Sequence, residues 1–242
     1  MTDIKFLGQT KNGVKSVRVL DTNGTEVKFV EGYTLDDIAM KKYTGDAVMP
    51  TATQIKSYAF NGTQITSLSA PNVTTIAASS IYGNTSLTSV YLRKLTTADN
   101  YALARNTSTS FTGINLPSMT GTGTYLVERV RAALDFTALS NIVNNAFRSW
   151  YGNLLVLRKS SAIVTLANIG AFAGTPFASG GAGGTIYIPK ALYDHLGDGT
   201  ELDYQSATNW ATIHGYGTIT WAKIEGSQYE THYADGTAIP TT

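Results

Sequence analysis

Side chains that could perform catalysis or bind a metal are few in this chain. There are three histidines, His195, His214 and His232. None has the spacing of a metal-binding motif, so we expect cap or surface positions for them. An acidic, glycine-containing stretch carries Asp198, Glu201 and Asp203. Clustered oxygen ligands suit calcium, but the spacing differs from that of an EF-hand, which favours an ordinary loop.

Other catalytic signatures are equally weak. The glycine-rich stretch 180–184 has no following Lys-Ser or Lys-Thr and no surrounding βαβ pattern, so it predicts a loop insertion rather than a phosphate-binding loop. There is no cysteine and no Gly-x-Ser-x-Gly motif. A carbohydrate-active enzyme would need two carboxylates about 5–10 Å apart, and Asp135 has no evident partner. The sequence predicts no enzyme, catalytic residue, cofactor or metal.

The elements that position side chains are short and repeated. Six apolar pairs recur: Leu68/Ala70, Val90/Leu92, Ile114/Leu116, Leu134/Phe136, Leu155/Leu157 and Ile186/Ile188. Between first members the steps are 22, 24, 20, 21 and 31 residues, close to the period of a leucine-rich solenoid except at the last. Alternation in a short strand sends both paired residues inward and the residue between them outward. We therefore predict a leucine-rich-repeat solenoid, mainly β, with a short parallel sheet of about six rungs.

Two further apolar positions accompany each pair. One precedes the strand, at Phe60, Ile81, Leu103, Leu126, Phe147 and Phe172. The other follows it, at Val73, Leu95, Met119 and Leu139, and lapses at Ser160. A single repeat cannot cover its own apolar face, so neighbouring repeats must supply the cover. Caps are expected at both ends.

The outward column is the candidate binding face. It comprises Ser69, Tyr91, Asn115, Asp135, Val156 and Tyr187, flanked by Arg93 and Arg158. Aromatic rings, amides and guanidinium groups suit a protein or glycan partner. The alternative is that this column is simply the solvated side of a sheet.

The first 50 residues differ from the rest. A strand is expected at Ile4 to Leu7, and Asn23-Gly24 between two β-like stretches predicts a hairpin with a tight type I′ turn. Thr34 and Asp37 predict the start of a short helix over about 35–43. We divide the chain into an N-terminal β-hairpin/helix module (1–50), the repeats (51–189) and a C-terminal cap and tail (190–242). The module either caps the repeats or anchors them to a partner.

Composition narrows the partners. The chain has 242 residues and a net charge of +1, which gives no general reason to expect nucleic acid or an anionic membrane. Residues 1–50 carry seven basic and seven acidic side chains, 51–189 nine and three, and 190–242 two and seven, for net charges of 0, +6 and −5. No apolar stretch reaches 18 residues, so membrane insertion is not expected. If Met1 is the native start, no secretory signal precedes the module.

Several segments resemble a known family. Residues 55–68 (IKSYAFNGTQITSL) and 169–175 (IGAFAGT) resemble the BspA-type leucine-rich repeat. Residues 185–189 (TIYIP), 207–210 (ATNW) and 224–230 (IEGSQYE) resemble the terminal cap and ending common in that family. The likeness spans about 51–230, is weak over 97–145 and does not extend to 1–50.

The resemblance implies a binding role without shared catalytic residues. Such proteins are typically surface adhesins of bacteria and some protists, and similar repeats occur in bacteriophage structural proteins. The missing signal favours the phage branch. We therefore expect a virion accessory protein, made in the host cytoplasm, such as a capsid decoration, head fibre or tail-associated component. Residues 1–50 would contact other virion proteins, the repeats would bind a host-surface protein or glycan, and copies of the chain could associate. The alternative is a bacterial surface or secreted adhesin.

Overall fold

The computed structural model describes residues 16–20, 26–30, 44–159, 165–166, 170–194 and 219–241. Within these residues the protein is mainly β, with one helix, α1 (Lys190–Tyr193). A 3₁₀ turn spans Gln228–Glu230. The strands are β1 (Ser16–Leu20), β2 (Glu26–Val30), β3 (Thr44–Val48), β4 (Gln54–Ile55), β5 (Gln64–Ser69), β6 (Thr75–Ile76), β7 (Ser89–Tyr91), β8 (Thr97–Ala98), β9 (Gly113–Asn115), β10 (Ala133–Phe136), β11 (Asn141–Ile142), β12 (Leu154–Leu157), β13 (Thr165–Leu166), β14 (Gly184–Ile188) and β15 (Ile219–Lys223).

Two five-stranded sheets carry the repeated apolar pairs. Their strand orders are β2-β1-β3-β5-β7 and β15-β14-β12-β10-β9, and β7 lies against β9 where the two sheets meet. Strand β1 pairs antiparallel with both β2 and β3, whereas the other strand pairings in these two sheets are parallel. Equivalent residues face each other in the parallel pairs, as Leu68 faces Val90 and Leu134 faces Leu155. The described strands do not close into a barrel. The prediction of a mainly β protein with parallel strand pairing is therefore confirmed. The six predicted strands do not form one sheet, however, because β5 and β7 lie in the first sheet and β9, β10, β12 and β14 in the second, and β3 and β15 add a parallel strand to each.

A second parallel ladder consists of two-residue strands that the sequence did not predict. Strands β4, β6 and β8 form one sheet and β11 pairs with β13. Gly121 bridges Thr97 and Asn141, which links the two sheets. Strands this short give no visible alternation in the sequence.

A third row of contacts joins the turns of successive repeats. The amide of Phe60 donates to the Ser80 carbonyl at 2.7 Å, and that of Ile81 to the Ala102 carbonyl at 2.9 Å. The same pattern continues in the later turns. Each turn therefore gains its hydrogen bonds from the next repeat, and the apolar residues that precede the strands are held inward.

The predicted core positions are buried. All six strand pairs and all six preceding apolar residues are buried, as are Val73, Leu95, Met119 and Leu139. Trp150 is completely buried, stacks on Phe177 at 5.6 Å and donates its indole N–H to the Ala132 carbonyl at 3.1 Å. The apolar contacts run continuously through the repeats, as neighbouring cover requires.

Buried asparagines tie the turns together. The side-chain Nδ2 of Asn106 donates to the main-chain carbonyls of Ile81 and Leu103, each at 2.7 Å. Its oxygen accepts from the amide N–H of Asn84 at 2.9 Å. The Asn84 side chain in turn donates to the Phe60 carbonyl at 2.9 Å. These side chains satisfy main-chain groups in the core that would otherwise be unpaired.

The N-terminal hairpin is confirmed, but its register differs from the expected one. Strands β1 and β2 are antiparallel, and Leu20 faces Glu26. Five residues separate this pair, and a two-residue turn at Asn23-Gly24 would instead pair Leu20 with Val27. The turn, the expected strand at Ile4 to Leu7 and the expected helix at 35–43 lie outside the described residues. Strand β3 lies within the predicted module yet pairs with β5, so the parallel sheet begins before residue 51.

Candidate functional site

The structure brings the predicted binding column together. Ser69 faces Tyr91 across β5 and β7, and Asn115, Asp135, Val156 and Tyr187 face one another in order across β9, β10, β12 and β14. We call the side of the second sheet that carries these last four residues the sheet face. The expectation that the intermediate residues share one side of the sheet is confirmed.

The expectation that this column faces solvent is wrong for its centre. Asn115 is 3% exposed, and Asp135 and Val156 are completely buried. They are covered by the C-terminal segment, which we define as residues 224–239. Tyr229 and Tyr233 of this segment are themselves buried, whereas Tyr91, at the edge of the column, is 45% exposed. The C-terminal segment, which is far from these strands in sequence, therefore covers side chains that the alternating pattern predicts to be exposed.

A buried ion pair holds the C-terminal segment. Arg158 Nε and Nη2 each lie 2.7 Å from one oxygen of the Asp135 carboxylate. The same guanidinium donates to the carbonyls of Tyr229 and His232, the latter at 2.9 Å. The Ala234 amide donates to Asp135 at 3.0 Å. Arg158 therefore joins the sheet face to the main chain of the segment.

The burial of Asp135 affects the pKa of its carboxyl group. Desolvation raises the pKa of its carboxyl above the ordinary value, while the hydrogen bonds from Arg158 and from the Ala234 amide act to lower it. Both carboxylate oxygens are engaged, and neither is open to a reacting molecule. Asp135 therefore lies in a buried ion pair that joins the sheet to the C-terminal segment.

Aromatic rings complete the contact. The Arg93 guanidinium lies between Tyr91 and Tyr233, 4.9 and 4.7 Å from the ring centres, and Tyr187 meets Tyr229 edge-on at 4.6 Å. Among the described residues, Arg93 Nη1 and both polar atoms of the Asn115 amide are buried without a hydrogen-bond partner. All the predicted site residues thus lie on or beside one surface, most of which the chain itself covers.

No family model, curated protein sequence or solved structure matches this chain. The described residues include no helix long and apolar enough to cross a membrane. They also contain no group of three or more histidine, aspartate or glutamate side chains placed to hold a metal ion.

The weaker chemical candidates are placed as follows. His195, His214 and the acidic stretch 198–203 lie outside the described residues, and His232 is exposed on the C-terminal segment. In the glycine-rich stretch, the amides of Gly181 and Gly183 donate to main-chain carbonyls at 2.9 Å. These two N–H groups are therefore used within the turn, as in an ordinary loop.

A second surface lies along the turns and remains open. The backbone is left-handed at a first turn position, with φ of 61° at Tyr58, 53° at Ser79, 58° at Tyr101, 53° at Tyr125 and 57° at Asn145. It is left-handed again a few residues later, with φ of 66° at Gly62, 74° at Gly83, 57° at Arg105, 59° at Arg129, 55° at Ser149 and 68° at Gly174. Residues other than glycine lose roughly 1–2 kcal/mol in this conformation.

Two neighbouring turns carry bulky residues at both left-handed positions. The Tyr101 and Tyr125 rings are stacked, 4.7 Å apart and 5° from parallel. The buried Glu128 carboxylate lies 3.0 Å from Arg105 Nε and 3.7 Å from Arg129 Nε. We call this group, with Tyr82 beside it, the turn ridge. Only the left-handed backbone reveals that Tyr101 and Tyr125 occupy unfavourable positions.

Proposed function

We propose that the chain is a leucine-rich-repeat solenoid of the BspA type that serves as a non-enzymatic binding component of a virion. Repeats that stack in parallel at a nearly constant step hold outward side chains in rows, about 4.8 Å apart from one strand to the next. Such rows suit recognition of an extended partner. The observation that carries the proposal is this stacked, parallel arrangement of near-identical turns and strands.

The sheet face supports binding over catalysis. Its one carboxylate, Asp135, is paired with Arg158 and lies beneath the C-terminal segment. A glycosidase would require two accessible carboxyl groups at a defined separation. The described part of the turn ridge likewise has a single carboxylate, Glu128, engaged by arginines.

Mass spectrometry and imaging of purified particles test the virion role. We expect the chain in stoichiometric amounts on particles, displayed outward. Recovery only in bacterial envelope fractions would overturn this role and favour the adhesin alternative.

Attachment through the N-terminal module is tested separately. Because β3 pairs with β5, the deletion should end at residue 43 so that β3 is retained. We expect the shortened chain to fold, as judged by circular dichroism and thermal unfolding, and to be lost from particles. Undiminished incorporation would refute docking through this module.

A further inference from the structure

The turn ridge combines residue types that its backbone does not favour. Elsewhere at least one of the two left-handed positions in a turn holds a small residue, as in the pairs Tyr58/Gly62, Ser79/Gly83 and Asn145/Ser149. Among the turns that the structure describes, only the two central ones hold Tyr and Arg together, as Tyr101/Arg105 and Tyr125/Arg129. Glycine or asparagine would avoid the backbone cost at these positions, so the tyrosine and arginine side chains either offset that cost through their contacts or serve a further purpose.

The side chains form an ordered, accessible group. Tyr82 meets Tyr101 edge-on at 6.5 Å, and the Arg105 guanidinium lies 5.5 Å from the centre of the Tyr82 ring. Arg105 and Arg129 have side chains that are 41% and 51% exposed, whereas that of Glu128 is 11% exposed. The buried carboxylate thus orients two arginines whose outer donors face solvent.

Charge and geometry define the partner. Two arginines and one glutamate leave a net charge of +1 in the ridge, within repeats that carry +6 over residues 51–189. Exposed guanidinium groups recognise carboxylates through paired hydrogen bonds. Tyr101 and Tyr125 cover one face of each other's ring, which leaves fewer ring faces for stacking with a partner, and each ring also carries a phenol hydroxyl that can form hydrogen bonds. Hydroxyl-rich, carboxylate-bearing units fit this better than stacked bases do.

We propose that the turn ridge binds a linear acidic polysaccharide, which lies along the direction in which the repeats stack. Carboxylates of the polymer pair with Arg105 and Arg129, and its hydroxyl groups hydrogen-bond with the tyrosine phenols. Because Arg105 and Arg129 lie in successive turns, a polymer that runs along the stacking direction can contact both. This inference rests on the proposed binding role of the repeats, but not on the particle to which the chain belongs.

Calorimetry with oligogalacturonate tests the proposal, with neutral dextran as the comparison ligand. The main variant is Arg129→Gly, which removes a guanidinium at a left-handed position that glycine prefers. Ser149→Gly is the matched control, because it makes the same backbone change in the next turn. We expect the affinity for oligogalacturonate to fall about ten-fold or more in Arg129→Gly and not in Ser149→Gly. Ser149→Gly should leave the melting temperature unchanged, and circular dichroism checks that Arg129→Gly, which loses one of the two arginines beside Glu128, remains folded at the temperature of the titration.

Three results would overturn the proposal. These are no binding of oligogalacturonate by the parent chain, equal affinity in Arg129→Gly, or equal binding of oligothymidylate or polyglutamate. Equal binding of those polymers would show that the ridge responds to negative charge and not to a sugar acid. None of these results depends on detecting the chain in virions, so failure here and failure of the virion role are separate outcomes.

Discussion

Arg158→Met tests whether the buried ion pair holds the C-terminal segment on the sheet face. The substitution removes two hydrogen bonds to Asp135 and two to main-chain carbonyls of the segment. The Asp135 side chain is completely buried and that of Arg158 is 10% exposed, so the remaining carboxylate cannot be rescued by water. Breaking a buried pair in this way costs about 3–5 kcal/mol. Urea unfolding followed by tryptophan fluorescence measures this loss.

A matched control separates burial from charge. Lys223→Met breaks a pair with Glu225 at 3.4 Å whose side chains are 46% and 50% exposed, and should cost less than about 1 kcal/mol. In the double variant Asp135→Leu/Arg158→Met no buried charge remains, so part of the lost stability should return. If Arg158→Met costs no more than Lys223→Met, the argument from burial is refuted.

The same variant has a predictable pH dependence. Burial already raises the pKa of Asp135, and loss of Arg158 removes hydrogen bonds that lower it, so the pKa should rise further. A raised pKa means that the folded chain binds the proton more tightly than the unfolded chain, whose carboxyl titrates near about 3.9. The destabilisation should therefore be smallest below about pH 3.9 and should grow as the pH rises through the folded-state pKa. Equal losses at pH 3.5 and pH 7 would contradict this.

Three further substitutions test the packing. Asn106→Ala leaves two main-chain carbonyls and one main-chain N–H unpaired in the core and should lower the free energy of unfolding in urea by about 2–4 kcal/mol. A loss below about 1 kcal/mol would contradict the role given to the buried asparagines. Gly113→Ala places a Cβ 2.5 Å from the Cα of Asp235, so the C-terminal segment should shift away from β9. The Ala234 amide should then exchange faster with deuterium, and an unchanged exchange rate would refute the contact. Trp150→Phe removes buried volume and an indole hydrogen bond and should cost about 2–4 kcal/mol, whereas an unchanged urea midpoint would show that the site repacks.

Coverage of the sheet face changes where recognition is expected. The sequence pointed to the column from Ser69 to Tyr187, but the C-terminal segment buries its centre. The turn ridge, by contrast, keeps exposed arginines beside stacked tyrosines. The structure therefore moves the strongest binding candidate from the strands to the turns.

The core was predictable because its signal is local and repeated. Inward residues such as Leu134 and Leu155 are identified by alternation within a few residues, and their cover comes from neighbours with the same pattern. The two-residue strands, such as Gln54–Ile55, were missed because two residues cannot show a period. The turn ridge was only partly visible, since backbone handedness at Tyr101 and Tyr125 has no signature in residue type.

The amino-acid sequence alone determined the mainly β character, the parallel pairing of equivalent strands and those core residues that the repeated pattern marks, such as Leu134 and Leu155. Each of these follows from the alternation of apolar and polar residues within a strand and from the recurrence of that pattern in successive repeats. No contact between distant residues is needed to infer them. Only the tertiary structure decided which outward residues meet solvent. The environment of Asp135 depends on Ala234, 99 residues further along the chain. A contact between residues so far apart in sequence depends on the path of the whole chain, and no local sequence pattern specifies that path.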